Sequence, residues 1–206
     1  MKNSVYVLGI AGGSASGKTY ILSSLLKHFT ESEICLISQD HYYKPIHEQP
    51  LDNKGIVNFD MPEGIDIDHL MNDINELIRG NTIQKKEYTF NNPKHQAKMI
   101  DFKPAPILVV EGLFIYHFKA LADKFNFKVF VDADDEIKLR RRLERDQKER
   151  GYSEESIMYQ WHNHVLPAYQ TYLLPYKEGC DYIIHNNDVI DSEIDLLAQM
   201  LRNQLV

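Results

Sequence analysis

The stretch Val5-Tyr-Val-Leu-Gly-Ile-Ala-Gly-Gly-Ser-Ala-Ser-Gly-Lys-Thr19 decides the fold, because an apolar strand runs directly into Gly12-x4-Gly17-Lys18-Thr19. This is the phosphate-binding loop pattern, and each part has a physical task. The glycines let successive backbone N–H groups turn inward into a concave anion nest. Lys18 reaches the terminal phosphates, and the Thr19 hydroxyl is placed to ligate Mg²⁺. A helix predicted from residue 17 to His28 aims its positive dipole end at the same phosphates. The context fits, with Val5, Val7, Leu8 and Ile10 before the loop and Ile21, Leu22, Leu25, Leu26 and Phe29 at helical spacing after it. A dinucleotide fingerprint fails, because Ser14 stands where its second glycine belongs. The loop predicts a nucleoside triphosphate site without saying what the triphosphate is used for.

Working outward, 206 residues suit one α/β domain, with 43% hydrophobic and 26% charged residues. Mean hydropathy is −0.41, and no run approaches the roughly 18 apolar residues that span a bilayer. The first strand begins within a few residues of Met1, which predicts no signal peptide and a cytoplasmic protein without a membrane partner. Cys35 and Cys180 lie in or beside apolar stretches and read as buried thiols rather than a disulfide. The net charge of −7 argues against nucleic acid as a partner. Residues 138–150, however, hold seven Lys/Arg against three acids, so this segment is +4 and the rest of the chain −11. A basic element in an acidic chain predicts a small polyanionic ligand.

Short apolar runs alternate with helical patterns, the signature of a mostly parallel sheet flanked by helices. Strands are predicted near 4–10, 33–38, 106–111, 127–132 and 181–185. Helices are predicted at 17–29, 66–79, 117–124, 134–149, 153–176 and 191–205. Gly80 should cap the 66–79 helix, and Pro167 should kink the long helix or start a new segment. Residues 41–64 read as a long functional loop. Residues 82–103 read as a small β-excursion built on Thr82-Ile-Gln and Glu87-Tyr-Thr-Phe. The expected architecture is a three-layer P-loop NTPase-type fold with a five-stranded, mostly parallel sheet, forming one domain over 1–206.

In open α/β sheets ligands lie outside the carboxyl ends of the strands. The residues there are Ser38-Gln39-Asp40, Glu111-Gly112, Asp132 and His185-Asn186-Asn187-Asp188. Carboxylates so close to a phosphate loop are costly unless they meet a cation or a hydroxyl, which is what phosphoryl transfer requires. Structural readings also exist: Asp40 as a turn or cap residue, and Glu111 in an ion pair. The 134–150 helix has only Ile137, Leu139 and Leu143 as apolar side chains. It reads either as a solvated charged helix or as a lid whose arginines neutralise the transferring phosphoryl group, hinged at Gly151. His162 and His164 are two apart on a helix and make a poor metal pair, so both read as structural or surface residues. Trp161 and most of the twelve tyrosines read as packing.

Five segments in order, Gly-Gly-Ser-Ala-Ser-Gly-Lys-Thr (12–19), Ser-Gln-Asp-His-Tyr-Tyr (38–43), Asn-Phe-Asp-Met-Pro (58–62), Val-Val-Glu-Gly (109–112) and Arg-Arg-x-x-Arg-Asp-x-x-x-Arg-Gly (141–151), resemble the uridine kinase family. The resemblance covers nearly the whole chain. It implies transfer of phosphate from ATP, with Mg²⁺, to the 5′-hydroxyl of uridine or cytidine, and a homotetramer. By resemblance, Asp40 is the general base and acts with Lys18, Arg145 and Arg150. The ATP-binding set is Gly12, Gly13, Ser14, Ala15, Ser16, Gly17, Lys18, Thr19 and Tyr20, with Asp188 near the adenine. Thr19, Glu111 and Asp40 serve the metal. Asp60 and Arg142 hold the ribose, Tyr88 and Phe90 wall the base, and Tyr152 and Gln160 complete the substrate contacts. Residues 41–103 become the substrate-binding part and 134–151 the lid.

Two positions depart from the family pattern. Pro93 replaces the usual base-reading histidine, with His95 two residues on, and Tyr152 replaces an arginine after the lid glycine. Both positions read the base, so the same chemistry on another small alcohol, such as another nucleoside or a nicotinamide riboside- or pantothenate-like acceptor, stays open. A regulatory nucleotide-binding module is a further alternative. Against it, Asn53-Lys54 is not followed by the aspartate of a guanine-specificity motif.

Overall fold

The computed structural model describes residues 5–89 and 96–205. In chain order the strands are β1 (Tyr6–Gly12), β2 (Ile34–Ser38), a short pair β3 (Ile83–Lys86) and β4 (Met99–Phe102), then β5 (Ile107–Gly112), β6 (Phe127–Asp132) and β7 (Tyr182–His185). The helices are α1 (Lys18–Leu26), α2 (Ile67–Arg79), α3 (Lys119–Ala122), α4 (Asp135–Arg150), α5 (Glu154–Gln160), α6 (Leu166–Ala168), α7 (Leu174–Lys177) and α8 (Asp191–Arg202).

The main sheet has the order β2-β5-β1-β6-β7. Every pairing in it is parallel, so the expected "mostly parallel" sheet is wholly so. Its middle strands are largely apolar because helices cover both faces, with Glu111 and Asp132 at their carboxyl ends. Strand alternation then divides the side chains between two cores. Val7, Ala11, Leu108 and Val110 join Leu70, Ile74 and Leu77 of α2 on one side. Leu8, Ile10, Ile107 and Val109 join Ile21 and Leu25 of α1 and Ile194 and Leu197 of α8 on the other. The register pairs Gly12 with Val131, Ala11 with Gly112 and Ser38 with Glu111. Those carboxyl-end residues therefore share one edge, where the order reverses around β1.

Several expected elements move. The β-excursion lies within 82–103 as expected, but its second strand is Met99–Phe102, paired with Ile83–Lys86, and Glu87–Thr89 form no strand. Ile83, Ile100 and Phe102 all turn toward the core, which Glu87 and Thr89 could not do. The 117–124 helix is a single turn, Lys119–Ala122, since Leu121 is the side chain that anchors it. Gly80 caps α2 with φ +91° as expected. The 153–176 helix runs without a break over 154–177 but is widened by two π turns, Trp161–Val165 and Tyr169–Leu173, each ending two residues before a proline. Pro167 and Pro175 have no N–H to return to the carbonyl four residues earlier, and the wider turns accommodate that loss. Both cysteines are free, and burial pushes each thiol up to about 11. No helix among the described residues is long and apolar enough to cross a membrane.

Candidate active site

The phosphate-binding loop leaves β1 at Gly12 and enters α1 at Gly17, with φ +61° at Ala15 and +100° at Gly17. A Cβ on Gly12 would stand 2.2 Å from the Val131 carbonyl oxygen, and one on Gly17 1.9 Å from Asn186 Nδ2. The loop is thus wedged against β6 on one side and the turn after β7 on the other. Asn186 Nδ2 donates to the Ser16 carbonyl at 2.8 Å, and Arg141 donates to the same carbonyl (3.4 Å) and to Asn186 O (3.0 Å). Gly17→Ala should therefore lower stability by about 2 kcal/mol, from left-handed strain and collision together. That corresponds to a melting point roughly 5 °C lower for a chain of this size. The paired change Asn186→Ala should restore the space but not relieve the φ strain, so thermal denaturation of both variants separates the two costs.

A cleft of about 340 Å³ opens on this loop. Its floor holds the carboxylates that follow β2 and β5. Ser38 caps a short 3₁₀ turn, Gln39–Tyr42, by accepting from the Asp40 N–H at 3.2 Å, and its hydroxyl also donates to Glu111. Gln39 is buried and accepts from the Phe114 N–H at 2.9 Å, which holds the turn against β5. Burial, reinforced by the Asp40 charge and opposed by Lys18, pushes the Glu111 carboxyl up to about 7. Burial lowers the Lys18 ammonium pKa, Glu111 and Asp40 oppose that shift, and Arg145 adds to it. Lys18 Nζ donates to the Gly12 (2.9 Å) and Gly13 (3.4 Å) carbonyls.

One wall of the cleft is α4, and its buried stripe is charged. Lys138, Arg142 and Asp146 recur at four-residue spacing and are 4%, 5% and 0% exposed, while Ile137, Leu139 and Leu143 are only half-buried. A solvated charged helix is therefore ruled out. Lys138 pairs with Asp135 at 2.8 Å and lies 3.6 Å from Asp132. Asp132 also accepts from Lys177 (2.6 Å) and Tyr169 (3.1 Å). Burial opposes its charge, but Lys177 and Lys138 hold its carboxyl below the ordinary range, and it serves as a structural anchor. Asp146 meets Arg142 (3.3 Å), Arg145 (2.8 Å) and Arg150 (3.4 Å). Residues 138–150 carry seven Lys/Arg against three acids, so this wall keeps a positive surplus, and Arg141, Arg142, Arg145 and Arg150 line the cleft. Arg142 further donates to Ser14 Oγ (2.9 Å) and to Gln160 (2.8 Å), linking loop, α4 and α5. Gly151 ends α4 with φ +70°.

Another part of the cleft lining is aromatic and acidic. Tyr43, Phe59, Asp60, Tyr152, Gln160 and His164 line it. The Tyr43 ring stands edge-on to Phe59 at 5.8 Å and tilted to Tyr88 at 5.3 Å. Tyr88 is fastened by its N–H to His41 Nδ1 at 3.3 Å and stands behind Tyr43 rather than on the lining.

Of the sequence-predicted set, the cleft brings together Ser14, Ala15, Gly17, Lys18, Thr19, Tyr20, Asp40, Asp60, Glu111, Arg142, Arg145, Arg150, Tyr152 and Gln160. Ser16 is buried beneath the loop, and Asp188 is exposed on the turn after β7, away from the cleft lining. Phe90, Pro93 and His95 lie outside the described residues. The sequence alone assigns no individual role to Asp146, Asn186, Arg141, Tyr43 or Phe59, although the quoted segments contain them. The i, i+4, i+8 spacing of Lys138, Arg142 and Asp146 was the available signal for the first, and Tyr43 and Phe59 sit inside segments already quoted.

No cluster of three or more His, Cys, Asp or Glu side chains suited to a metal occurs among the described residues. Mg²⁺ on phosphates needs only one or two protein carboxylates and a hydroxyl. Thr19, Asp40 and Glu111 line one cleft and would supply that donor set, and the Asp40 charge that adds to burial in raising Glu111 is one a divalent cation would offset.

The chain matches the phosphoribulokinase/uridine kinase family model over residues 7–192. It is 33% identical over 196 residues to a uridine kinase of Staphylococcus haemolyticus, covering 95% of each chain. Among solved structures it is similar in fold to a "possible uridine kinase" of Bacillus stearothermophilus, with a TM-score of 0.61 at 16% identity over 89% of this chain and 90% of that one. The phosphoribulokinase of Rhodobacter spheroides gives a TM-score of 0.62 at 15% identity over 89% of this chain and 71% of that one. With its P-loop, parallel sheet and matched length, the chain belongs to the phosphoribulokinase/uridine kinase family of kinases.

Proposed function

We propose that this kinase transfers the terminal phosphoryl group of ATP to the 5′-hydroxyl of uridine or cytidine. The observation that carries the reading is that one cleft gathers an anion nest with arginines, the carboxylates Asp40 and Glu111, and Asp60 with the aromatic rings of Tyr43, Phe59 and Tyr152. The names of the full-length relatives at about one-third identity support it.

In this reading Asp60 and Arg142 hold ribose hydroxyls, and Tyr43 and Phe59, with Tyr88 packed against Tyr43, form the apolar side of the base site. Asp40 accepts the 5′-hydroxyl proton as that oxygen bonds to the γ-phosphorus and the bond to the β–γ bridging oxygen breaks, releasing ADP. Lys18, Arg145 and Arg150 offset charge on the transferring group and on the leaving ADP. Thr19, Glu111 and Asp40 would hold Mg²⁺, which when bound offsets phosphate charge. The α4 wall acts as the lid, turning at Gly151.

A second reading, the same transfer to another small alcohol, is favoured by Tyr152, which lines the cleft where the family pattern has an arginine. A panel of nucleosides and related alcohols, assayed for acceptor-dependent ADP release, decides between them. Turnover with uridine or cytidine at the highest kcat/KM is the expected result. Inert pyrimidine nucleosides beside an active different alcohol would overturn it.

A further inference from the structure

Residues 50–58 fold around one aspartate. Asp52 Oδ1 accepts from the Lys54 and Ile56 N–H groups at 2.8 and 2.9 Å. The Asp52 N–H donates to Ile56 O and the Asn58 N–H to Pro50 O, both at 2.8 Å, while Leu51 and Val57 pair as a bridge. Gly55, with φ +76°, makes the tight corner. All of this uses the backbone and one carboxylate oxygen, so the turn is complete by itself.

The other oxygen leaves the turn. Asp52 Oδ2 accepts from Tyr159 OH and from His164 Nε2, each at 2.8 Å. A carboxylate only accepts, so His164 carries its proton on Nε2. Burial works against the Asp52 charge, but these partners and the two N–H groups hold its carboxyl well below the usual range. Tyr159 and His164 are five residues apart, a spacing that diverges on a regular α-helix, where neighbours are three and four apart. The π turn Trp161–Val165 begins between them and brings their rings to 5.7 Å, edge to face. The irregular turn thus has a local consequence, in that it lets two side chains share one carboxylate oxygen.

What lies beyond each partner matters for the site. The 50–58 turn runs directly into Phe59 and Asp60, and Asn58 Oδ1 accepts from the Asp60 N–H at 2.9 Å. The helix side carries Gln160, which accepts from Arg142. Phe59, Asp60, Gln160 and His164 all line the cleft.

We propose that Asp52 is a positioning residue whose carboxylate ties the segment bearing Phe59 and Asp60 to the helix bearing Gln160, so that the two walls at the acceptor end keep one spacing. The role is read for the acceptor because Asp60 and Gln160 are assigned to it above. A small misplacement of binding groups raises the acceptor requirement while the phosphate loop, built on other elements, stays intact.

The test is steady-state kinetics on Asp52→Ala, Asp52→Asn and Tyr159→Phe, together with hydrogen exchange of the free enzyme. Asp52→Asn keeps the shape and a carbonyl acceptor but not two acceptor oxygens, so it spares the fold if Asp52→Ala does not. The expected result is an acceptor KM raised about tenfold in both Asp52 variants, with the KM for ATP unchanged. Tyr159→Phe should give a smaller rise that vanishes in the Asp52→Ala background, the non-additivity of groups acting as one unit. Amides of 54–60 should exchange faster in the Asp52 variants while those of 12–19 do not change. An unchanged acceptor KM, kcat and ATP KM falling together, or an Asp52→Asn enzyme indistinguishable from wild type overturns the proposal. If pyrimidine nucleosides prove inert, the kinetics use the alcohol the panel identifies, and the exchange measurement reads the tie with no acceptor present.

Discussion

Asp40→Asn should lower kcat by about a thousandfold or more while ATP binds with near-normal affinity. In the proposed role the substitution removes the group that accepts the hydroxyl proton, and general-base contributions of about 10²–10⁴-fold are ordinary. Asp40 also bears on Glu111 and Lys18 electrostatically, so its neutralisation disturbs the floor as well as the proton transfer. The Asp40 N–H held by Ser38 is a backbone contact and survives the substitution, so the 3₁₀ turn should persist. The measurements are single-turnover phosphorylation and ATP titration on the same preparation. Near-normal turnover would remove Asp40 from the base role.

Glu111→Gln carries the second large effect, on two observables with opposite signs. Activity should fall about a hundredfold, because a carboxylate proposed to serve the metal becomes a neutral amide. Stability should rise at neutral pH. In the folded protein burial and the Asp40 charge keep the proton on Glu111 up to about pH 7, whereas the unfolded chain releases it near 4.5. The native state therefore binds more protons between those values, and wild-type stability falls as pH rises through the window. The loss amounts to about 3 kcal/mol and is complete above pH 7. Glutamine titrates in neither state and lacks that fall. Chemical denaturation without Mg²⁺ or nucleotide at pH 4, 6 and 8 should show the variants converging at low pH and Glu111→Gln the more stable at pH 8. A variant no more stable than wild type at pH 8 would mean that Glu111 is not raised in this environment.

Much of the fold was legible because it follows from local pattern. Strand, glycine-rich turn and periodic helix in Val5–Phe29 specify the phosphate loop and its neighbours, and the βα alternation specifies a parallel sheet. Positions at strand ends follow from the same rule, which is why Asp40 and Glu111 could be singled out and why they share the cleft floor. Within the excursion the second strand lies later than its pattern suggests: Glu87-Tyr88-Thr89 has strand-forming residues, yet Ile100 and Phe102 offered the better apolar face to the core. The π turns were invisible because a proline announces a break but not how the turns before it widen.

The charged helix marks the boundary most clearly. In the sequence, Lys138, Arg142 and Asp146 are three polar residues in a polar run, and composition assigns such a run to solvent. In the fold they are the buried face, because a carboxylate and guanidiniums pair there as opposite charges and the phosphate loop is hydrogen-bonded to Arg142. Asp52 behaves likewise: its turn is a local matter of i+2 and i+4 amides, whereas its hold on Tyr159 and His164 spans more than a hundred residues. By itself the sequence determined the elements, the loop and the residues at strand ends, since each depends on neighbours a few positions away. Only the tertiary structure decided which charges are buried and which groups face one another across the cleft, because those depend on burial and on partners distant in the chain.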